Sequence, residues 1–268
     1  MAEYLRLMRI ALYGYGKMGR AIEAAAIERG HEIVLRVGSK NAGASPKDAD
    51  VAIEFSKPEE AVRNIGLCLS DHVPVVVGTT GWYDRMNEVK RAIDQQHGSL
   101  LWASNFSLGV NIFFRLNRAL AAMMEKHRYA VHIDEIHHVH KLDAPSGTAI
   151  TLARDIDLRN SRYSGWELAS SELVHTDRED ADRKEYPARD HFVDGQIGAE
   201  AALPIPILSE RVGEVPGKHA VTWNSRNDRI VITHEAFDRS GFAQGAVVAA
   251  EWLRGRKGLF TMDDVLGA

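Results

Sequence analysis

The first hundred residues alternate short, strongly apolar runs with amphipathic stretches of about ten residues or more. This alternation is typical of strands and helices that follow one another in βαβ units, and it predicts a parallel sheet. Several of the apolar runs end in segments rich in Gly, Ser, Thr or Asn, and ligands bind at such strand ends in open α/β sheets. The predicted strands are Met8–Tyr13, Ile33–Val37, Val51–Phe55, Val73–Val77 and Leu100–Ala103, with helices over Arg20–Arg29 and Tyr83–Gln96.

The pattern changes after residue 106. Apolar residues at helical spacing predict a core-facing helix over Val110–Lys126 and a last helix over Gly241–Arg254, which we expect to pack on the first half. Between them, the polar and charged span Ser170–Asp194 predicts an extended loop or a partner-contacting arm. Runs of β-type residues predict three further strands, which are Tyr129–Ile136, Ala220–Trp223 and Arg229–Ala236.

Together these elements predict an α/β protein of two domains. The first is a Rossmann-type parallel-sheet domain for a nucleotide, formed by residues 1–106 and 239–268. The second, residues 107–238, is an α+β domain with a mixed or antiparallel sheet and helices on one face. We expect this second domain to bind the substrate.

The composition is that of an ordinary globular protein, with 45% hydrophobic and 26% charged residues among 268. The formal charge of −4 and the pI near 6.3 argue against nucleic acid as a partner. No apolar run approaches the roughly 20 residues that span a bilayer, and residues 1–8 lack the apolar core of a signal peptide. The single cysteine, Cys68, excludes an internal disulfide and a multi-cysteine zinc site, and fits a reducing cytoplasm.

A glycine-rich turn follows the first predicted strand and precedes the first predicted helix. It matches G-x-G-x-x-G, whose glycines allow a tight turn, close approach of the backbone to a pyrophosphate and close helix–strand packing. The N–H groups at the start of the next helix attract phosphate. The alternative is a glycine-rich turn that binds nothing. The residues of this predicted dinucleotide site are Gly14, Tyr15, Gly16, Lys17, Met18 and Gly19.

The end of the second strand bears on the choice between NADH and NADPH. NAD-selective sites usually place a carboxylate there, about 20 residues after the glycines, to hold the ribose hydroxyls. Here the segment contains Arg36, Ser39 and Lys40 and no carboxylate. A hydroxyl and two cations suit a 2′-phosphate, so we predict that NADPH is used at least as well as NADH. The alternative is that Arg36 and Lys40 are simply solvated.

Three histidines and a lysine lie within five residues, as His137, His138, His140 and Lys141. The H-H-x-H spacing is not that of a helical zinc site, so we expect no metal. Any one of these histidines could be a hydrogen-bonded core residue, and His140 most of all. A histidine beside an anionic substrate can also act as a general acid near neutral pH.

The residues that follow indicate which ligand the histidines face. Ser146, Gly147 and Thr148 come after a proline and before a predicted helix over Ala149–Ile156. Such a helix start offers a capping hydroxyl and a run of unpaired backbone N–H groups, which together form a cradle for a carboxylate. With Lys141 nearby, the segment is suited to a small, carboxylated anion as substrate.

The run from Glu135 to Ala149 resembles the E-x-H-H-x-x-K-x-D-A-P-S-G-T-A signature of the dihydrodipicolinate reductase family, which acts in the diaminopimelate route to lysine. This run is highly specific, and other segments similar to the family follow in the expected order along most of the chain. They are Gly14–Gly19, Asp50–Ser56, Gly78–Gly81, Ser104–Ser107, Arg211–Gly213, Gly217–His219, Gly258–Phe260 and Met262–Leu266.

The resemblance implies a reaction and roles for the matching residues. The cyclic dicarboxylate 4-hydroxy-tetrahydrodipicolinate would be reduced by NADH or NADPH, with loss of water, to tetrahydrodipicolinate. His137 would protonate the substrate as the hydride arrives, and Lys141 would stabilise the developing charge or assist the proton transfer. The substrate carboxylates would be held by His138, Ser146, Gly147, Thr148 and Thr80. The nicotinamide end would be lined by Gly78, Thr79, Thr80, Ala103, Ser104, Asn105 and Phe106.

The resemblance also implies a homotetramer in which the sheets of the second domain associate. Two departures from the family concern the nucleotide. The family more often carries an acidic residue where Ser39 stands, which puts a preference for NADH in doubt. The stretch Asn41–Asp50 is short, so the adenine-side contacts are expected to differ. Neither departure touches the histidine–lysine run.

Three other functions stay open. An amino-acid or homoserine-type dehydrogenase would share the dinucleotide turn but has no evident need for the histidine–lysine run. A non-catalytic NADP-binding sensor would need no proton donor beside the carboxylate cradle. A metal-dependent hydrolase using the three histidines would lose its activity to chelators. The acidic residues Asp134, Glu135 and Asp143 are either partners of the catalytic residues or local capping groups.

Overall fold

The computed structural model describes residues 7–169, 202–238 and 240–267. The chain divides into two compact units, the first drawn from Met1–Asn111 and Arg239–Ala268 and the second from Ile112–Asp238. The predicted arm Ser170–Asp194 lies outside the described residues. Among the residues that are described, no helix is long and apolar enough to cross a membrane.

Helices and strands alternate along most of the described chain. In chain order they are β1 (Arg9–Tyr13), α1 (Lys17–Glu28), β2 (Glu32–Val37), β3 (Val51–Glu54), α2 (Pro58–Ser70), β4 (Val75–Val77), α3 (Met86–Gln96), β5 (Ser99–Trp102), α4 (Leu108–Met124), β6 (Ala130–His137), α5 (Gly147–Asp157), β7 (Tyr163–Ala169), β8 (Leu203–Arg211), β9 (Gly217–Asn224), β10 (Arg229–Ala236), α6 (Ser240–Leu253), β11 (Gly258–Phe260) and α7 (Met262–Val265). Short 3₁₀ turns cover Ser39–Asn41 and Tyr83–Arg85.

The first unit contains a six-stranded parallel sheet in the order β11-β5-β4-β3-β1-β2. Because β1 lies between β2 and β3, the sheet is built outward on both sides of β1, and the direction of strand addition reverses between β1 and β3. Ligands of open α/β sheets bind at the carboxyl ends of the strands at such a point. The predicted Rossmann-type parallel sheet is confirmed, although β11 from the C-terminal segment was not predicted.

Two apolar cores cover the two faces of this sheet. Successive residues of a strand point to opposite faces, and accordingly Ile10 and Leu12 of β1 belong to one core, while Ala11 and Tyr13 belong to the other. The first core is completed by α1 and α6, and the second by α2 and α3. The predicted packing of the last long helix on the first half of the chain is therefore confirmed.

The first two helices differ most from the prediction. The helix α1 begins at Lys17 rather than Arg20, because the last residues of the glycine motif already form its first turn. The helix α2 was not predicted, although Pro58 at its start fits the first helical position and Glu59 and Glu60 place negative charge at the positive end of the helix dipole. The residues at the N-terminus of α2 thus favour the start of a helix, which the pattern of apolar residues did not indicate.

The second unit contains a five-stranded sheet in the order β10-β9-β6-β8-β7. The strand β8 runs parallel to β6 and β7, whereas β9 is antiparallel to β6 and β10. The sheet is thus mixed, which was one of the two predicted forms. The strands β7 and β8 were not predicted. Pro204 and Pro206 in β8 argue against a strand interior, and Tyr163 is the one buried residue of β7, so this strand shows no apolar pattern.

A glycine in α6 provides a test of the packing in the first unit. A Cβ built on Gly245 would lie 1.8 Å from the carbonyl oxygen of Phe106. Alanine normally stabilises a helix interior by about 1 kcal/mol relative to glycine. Here we expect Gly245→Ala to destabilise the protein by at least about 2 kcal/mol, because the helix must shift to relieve the overlap. Thermal unfolding should show a Tm that is several degrees lower.

Gly66 of α2 is the matched control, because no atom lies within 4 Å of a Cβ built on it. Gly66→Ala should leave the Tm unchanged or raise it. Equal Tm values for the two variants would contradict the close approach of α6 to Phe106.

Candidate active site

The glycine-rich turn lies at the carboxyl end of β1, where the direction of strand addition reverses. Gly14 has a φ of +90°, and a Cβ on it would lie 2.1 Å from the carbonyl oxygen of Phe55. A Cβ on Gly19 would lie 2.3 Å from the carbonyl oxygen of Gly14, so both glycines are required by the packing of the turn. By contrast, a Cβ on Gly16 would meet no atom within 4 Å, so this position is open to a ligand.

The first turn of α1 fits the phosphates of a dinucleotide. The helix begins at Lys17, and its N-cap residue Gly16 makes no side-chain capping hydrogen bond. The first backbone N–H groups of a helix lack partners within the helix and carry partial positive charge, so they attract an anion. Lys17 is exposed and Met18 half-buried beside these groups. The residues present therefore suit a bound pyrophosphate.

The end of β2 holds one of the two predicted cations in an ion pair. Arg36 donates from Nε to Glu23 Oε1 over 2.9 Å and also contacts this oxygen through Nη2. The Tyr15 hydroxyl donates to the other oxygen of Glu23. The hydrogen bond from Arg36, followed by that from Tyr15, holds the pKa of Glu23 below its ordinary value. Ser39 and Lys40 lie exposed in the 3₁₀ turn that follows β2.

A buried carboxyl group orders the end of β3. Glu54 is fully buried, and burial raises the pKa of its side chain. Its Oε1 accepts hydrogen bonds from the backbone N–H of Ser56 over 3.1 Å and from Nδ2 of Asn64 over 3.3 Å. The next strand end is tied to the same residue, since the N–H of Gly78 donates to the carbonyl of Glu54 over 2.8 Å.

The ends of β4 and β5 carry the residues predicted for the nicotinamide end. Thr79 is buried and Thr80 exposed, while Ala103 and Asn105 are half-buried and Ser104 is exposed. The side chain of Phe106 lies in the apolar core of the first unit, and its ring centroid is 5.6 Å from that of Phe55. It therefore packs beneath the end of β5, inside the core, and does not offer its ring to a ligand.

The histidine segment continues β6 into the loop before α5. Glu135 and His137 are two residues apart on β6, and so they project from the same face of the sheet. Strand pairing places Glu135 opposite Ser209 of β8 and His219 of β9, and His137 opposite Arg211 of β8. Five polar side chains from three strands are thereby brought together at one end of the sheet.

Glu135 is at the centre of this group. Its side chain is fully buried. One carboxylate oxygen contacts Nδ1 of His137, and the other accepts from Nη2 of Arg211 over 3.1 Å and from the N–H of Ser146 over 3.3 Å. Burial by itself raises the pKa of Glu135, but the hydrogen bonds with His137 and Arg211 outweigh burial and lower this pKa to about 2. Glu135 is therefore ionised at neutral pH.

Arg211 also holds the loop that carries Lys141. Its guanidinium donates to the carbonyl of Lys141 from Nε over 3.3 Å, and to the carbonyl of Asp143 from Nη2. The Lys141 ammonium donates to both carboxylate oxygens of Asp143, over 2.8 and 2.9 Å. This hydrogen bond lowers the pKa of Asp143. The lysine is thus placed on a loop whose backbone is fixed by the same arginine that contacts Glu135.

Ser146 begins α5. Its Oγ accepts from the N–H of Ala149 over 3.2 Å, which is the N-cap geometry expected from the sequence, and it lies 2.9 Å from Nε2 of His219. The helix starts at Gly147, two residues before the predicted start. The Ser146 hydroxyl is buried and has both of these partners, so a ligand would meet the backbone of the exposed Gly147 and the half-buried Thr148 instead.

One expectation about the histidines was wrong. His140 was the strongest candidate for a core histidine, yet its side chain is 72% exposed and lies 3.2 Å from the equally exposed carboxylate of Glu214. The buried histidine of the segment is His137, because β6 extends to this residue and turns its side chain inward. His138 is half-buried, with its ring 6.0 Å from that of His140.

The three residues Glu135, His137 and His219 also have the geometry to hold a metal ion, because one ligand atom from each lies within 4.8 Å of the others. Within the described part of the chain these side chains have protein partners: Nδ1 of His137 contacts Glu135, and Nε2 of His219 contacts Ser146. A bound ion would have to replace these hydrogen bonds.

Sequence reasoning assigned no role to Arg211, Ser209 or His219 and left that of Glu135 open. A signal existed for two of them, because Arg211–Gly213 and Gly217–His219 were among the segments similar to the family. Their place beside His137 follows from strand pairing across more than 70 positions of sequence. Thr80, also predicted to hold substrate, belongs to the first unit, whereas the other predicted substrate residues belong to the second.

A glycine turn where a parallel sheet reverses, and a histidine–carboxylate pair with a lysine near a helix N-terminus, are features of a dinucleotide-dependent oxidoreductase. The family description "Dihydrodipicolinate reductase, N-terminus" matches residues 8–106, and "Dihydrodipicolinate reductase, C-terminus" matches residues 109–266. The chain belongs to the dihydrodipicolinate reductase family.

Individual relatives match nearly the whole chain. A 4-hydroxy-tetrahydrodipicolinate reductase of Christiangramia forsetii is 45% identical over 262 residues, which cover 97% of this chain and 98% of the relative. A reductase of the same name from Thiobacillus denitrificans is 32% identical and covers 97% of this chain and 98% of its own. The solved structure of a dipicolinate-bound dihydrodipicolinate reductase from Paenisporosarcina sp. TG-14 has a TM-score of 0.71 at 22% identity, covering 95% of this chain and 97% of that one, and shows the same fold.

His219 should make the second unit sensitive to acid. Burial, and then the neighbouring His137, lower the pKa of His219 from 6.5 to about 3. Between these two pH values the unfolded chain binds a proton at this residue and the folded chain does not, so stability falls as the pH is lowered from 6.5 towards 3. In His219→Gln this contribution is absent, and the Tm should fall less between about pH 7 and about pH 5 than in the wild type.

His140→Gln is the matched control for this measurement, because His140 is exposed. Its loss of Tm with acid should equal that of the wild type. An equal loss in His219→Gln as well would show that His219 is not held in its neutral form by the fold.

Proposed function

We propose that the protein catalyses the NAD(P)H-dependent reduction of 4-hydroxy-tetrahydrodipicolinate, with loss of water, to tetrahydrodipicolinate in the diaminopimelate route to lysine. The observation that supports this most directly is the pairing of His137 with a buried carboxylate, next to Lys141 and the N-terminus of α5. The name of the 45% identical relative and the dipicolinate named in the related solved structure support the same reaction.

We assign the nucleotide to the first unit and the substrate to the second. NADPH or NADH, when bound, would supply the hydride. The turn from Gly14 to Gly19 would hold the pyrophosphate through the N–H groups of α1. The ends of β4 and β5, with Gly78 to Thr80 and Ala103 to Phe106, would line the nicotinamide end, with Phe106 acting as support through its buried side chain.

NADPH is the cofactor that we favour. The turn after β2 offers the hydroxyl of Ser39 and the exposed ammonium of Lys40, and no carboxylate that would repel a 2′-phosphate. Arg36 is less suited to this role than the sequence suggested, because Glu23 already neutralises its charge. The assignment of a 2′-phosphate site therefore rests on Ser39 and Lys40.

The substrate is a dicarboxylate, and the second unit offers groups of matching charge. The first N–H groups of α5, at Gly147 and Thr148, can hold one carboxylate as a helix N-terminus does. His138 and Lys141 lie on the loop that leads to this helix. Thr80 of the first unit would add a hydroxyl. Ser146 would contribute through its position as the N-cap rather than through its buried hydroxyl.

His137 would act as the general acid. Its Nδ1 is held by Glu135, so the proton that passes to the substrate would leave from Nε2. The ammonium of Lys141 would stabilise negative charge that develops on the substrate as the hydride adds. The negative charge of Glu135 would stabilise the imidazolium form of His137 before the transfer.

We also propose that the chain forms a homotetramer through the sheet of the second unit and works in the cytoplasm. The edge strand β10 leaves Ile230 and Val231 exposed, and Phe237, just after it, is 89% exposed. Apolar residues on an exposed edge strand are commonly covered by another chain. The single, buried cysteine, Cys68, supports a reducing compartment.

The first test is nicotinamide oxidation by the purified protein, with the unstable substrate generated in place by the preceding enzyme of the route. We expect substrate-dependent oxidation of both cofactors, with kcat/KM for NADPH at least equal to that for NADH, and no loss of rate on addition of EDTA. Cofactor binding without any substrate-dependent oxidation would contradict the proposed reaction. A strong preference for NADH would contradict the role of Ser39 and Lys40.

The second test concerns the proton donor. His137→Ala should lower kcat by about 10²–10⁴, as removal of a general acid does, while the Kd for NADPH stays unchanged because the nucleotide is assigned to the other unit. Lys141→Ala should lower kcat and raise the KM of the substrate, because it removes both charge stabilisation and a contact. His140→Ala, at an exposed histidine of the same loop, is the control and should retain full activity. Full turnover by His137→Ala would remove His137 from the mechanism.

A further inference from the structure

We propose that Glu135 is a positioning residue, whose carboxylate accepts the Nδ1–H of His137. The imidazolium can then give up only its Nε2 proton to the substrate, and the imidazole that remains is the Nδ1–H tautomer. This inference rests on the proposed role of His137 as the general acid. It gives Glu135, the first residue of the run Glu135–Ala149, a function that its position in the sequence and its charge do not reveal.

The contact between the two side chains is local and geometrically constrained. They are separated by one residue on β6, both point to the same face, and Nδ1 of His137 contacts Oε2 of Glu135. Among the described residues, Glu135 is the one that hydrogen-bonds to the His137 ring, and Nε2 has no hydrogen-bond partner. One ring nitrogen is therefore held and the other is available.

The fold keeps space next to Nε2. The antiparallel pairing of β6 with β9 ends at Ile136 opposite Lys218, and Gly217 is the residue before Lys218 on β9. A Cβ built on Gly217 would lie 3.0 Å from Nε2 of His137. Its φ of +159° is also one that other residues rarely adopt. A larger residue at this position would crowd the nitrogen that transfers the proton. Glycine thus leaves Nε2 accessible on the side where β9 passes.

Glu135 cannot itself reach a substrate. Its side chain is fully buried, and its second oxygen is held by Arg211 and by the N–H of Ser146. A carboxylate with donors on both oxygens has a fixed orientation, and it transmits that orientation to the imidazole. The arrangement is the same in its logic as the buried aspartate that orients the catalytic histidine of a serine protease.

The neighbouring groups do not perform this task. The ring of His219 packs edge-on against that of His137, with centroids 5.0 Å apart, but its Nε2 contacts Ser146. The ammonium of Lys141 is paired with Asp143. Both residues can affect the local charge, but neither hydrogen-bonds to the His137 ring. Orientation of this ring is therefore assigned to Glu135 alone among the described residues.

The direct test uses Glu135→Gln, which preserves size and removes the charge. An amide can donate to Nδ1 as well as accept from it, so the imidazole is no longer restricted to the Nδ1–H tautomer. We expect kcat to fall by at least about 10-fold, since the equivalent carboxylate-to-amide change in the serine-protease triad lowers kcat by about 10⁴-fold. The KM of the substrate and the Kd of NADPH should change by less than about twofold. A fall in substrate affinity without a fall in kcat would overturn the proposal.

Glu214→Gln is the matched control, because Glu214 forms the exposed carboxylate–histidine pair with His140. We expect its kcat to equal that of the wild type. A loss of kcat as large as that of Glu135→Gln would show that removal of a nearby negative charge, rather than the contact with His137, causes the effect, and the proposal would be wrong.

A double-mutant cycle separates action through His137 from any other role. If Glu135 acts by orienting this histidine, Glu135→Gln should change kcat by less than about twofold in a His137→Ala background, although it lowers kcat strongly in the wild type. An equal fold-loss in both backgrounds would show that Glu135 acts independently of His137, and the proposal would fall.

Nitrogen-15 NMR of the histidine rings tests the wild-type protein directly. The signals of His137 are assigned by their absence from His137→Gln. We expect neutral His137 to carry its proton on Nδ1 in the wild type and to shift towards the Nε2–H tautomer in Glu135→Gln. A wild-type His137 with its proton on Nε2 would overturn the proposal whether or not the protein reduces the proposed substrate. The activity of the wild type decides that second question separately.

Discussion

The site in the second unit depends on one requirement, which is that the buried charge of Glu135 must be compensated. An ionised carboxylate removed from water costs several kcal/mol unless hydrogen-bond donors replace the lost water. Three groups donate to this carboxylate: His137 on the same strand, Arg211 at the end of β8, and the backbone N–H of Ser146, the N-cap residue of α5. Because Arg211 also binds carbonyls of the loop that carries Lys141, satisfying one carboxylate aligns the strand end, the loop and the helix N-terminus. Removal of one member of such a buried network is strongly destabilising, because it leaves a buried charge without its partner.

Two buried glutamates in this chain show how the surroundings decide the charge of the same side chain. Glu54 accepts hydrogen bonds from neutral groups of Ser56 and Asn64, and burial raises its pKa. Glu135 is equally buried but contacts Arg211 and His137, and its pKa falls to about 2. The first glutamate orders the end of a strand in the nucleotide unit, whereas the second provides a permanent negative charge beside a histidine. In the first unit the stronger constraint is space, since Gly14 and Gly19 lie where any side chain would overlap with backbone.

Much of the fold could be predicted from local patterns. The glycine turn after β1 and the alternation of strands and helices indicated the parallel sheet, because each signal spans only a few residues. The strand β8 was missed because Pro204 and Pro206 are unfavourable in a strand, yet the sheet tolerates them in this position. His140 was expected in the core and is exposed, because the turn that follows β6 carries it outward. The run from His137 to Thr148 identified the segment that carries the chemistry without showing which side chains touch.

The sequence by itself determined the class of each unit, the position of the nucleotide turn and the family, because these follow from periodicity and from motifs that are contiguous in the chain. Only the tertiary structure decided that Arg36 is neutralised by Glu23, that the Ser146 hydroxyl is buried, and that Glu135 holds His137. Contacts of Glu135 with Arg211 and of Ser146 with His219 join residues 76 and 73 positions apart. These contacts form because the register of three strands brings the residues together and because a buried charge requires hydrogen-bond donors. Neither cause can be read from a local pattern of sequence.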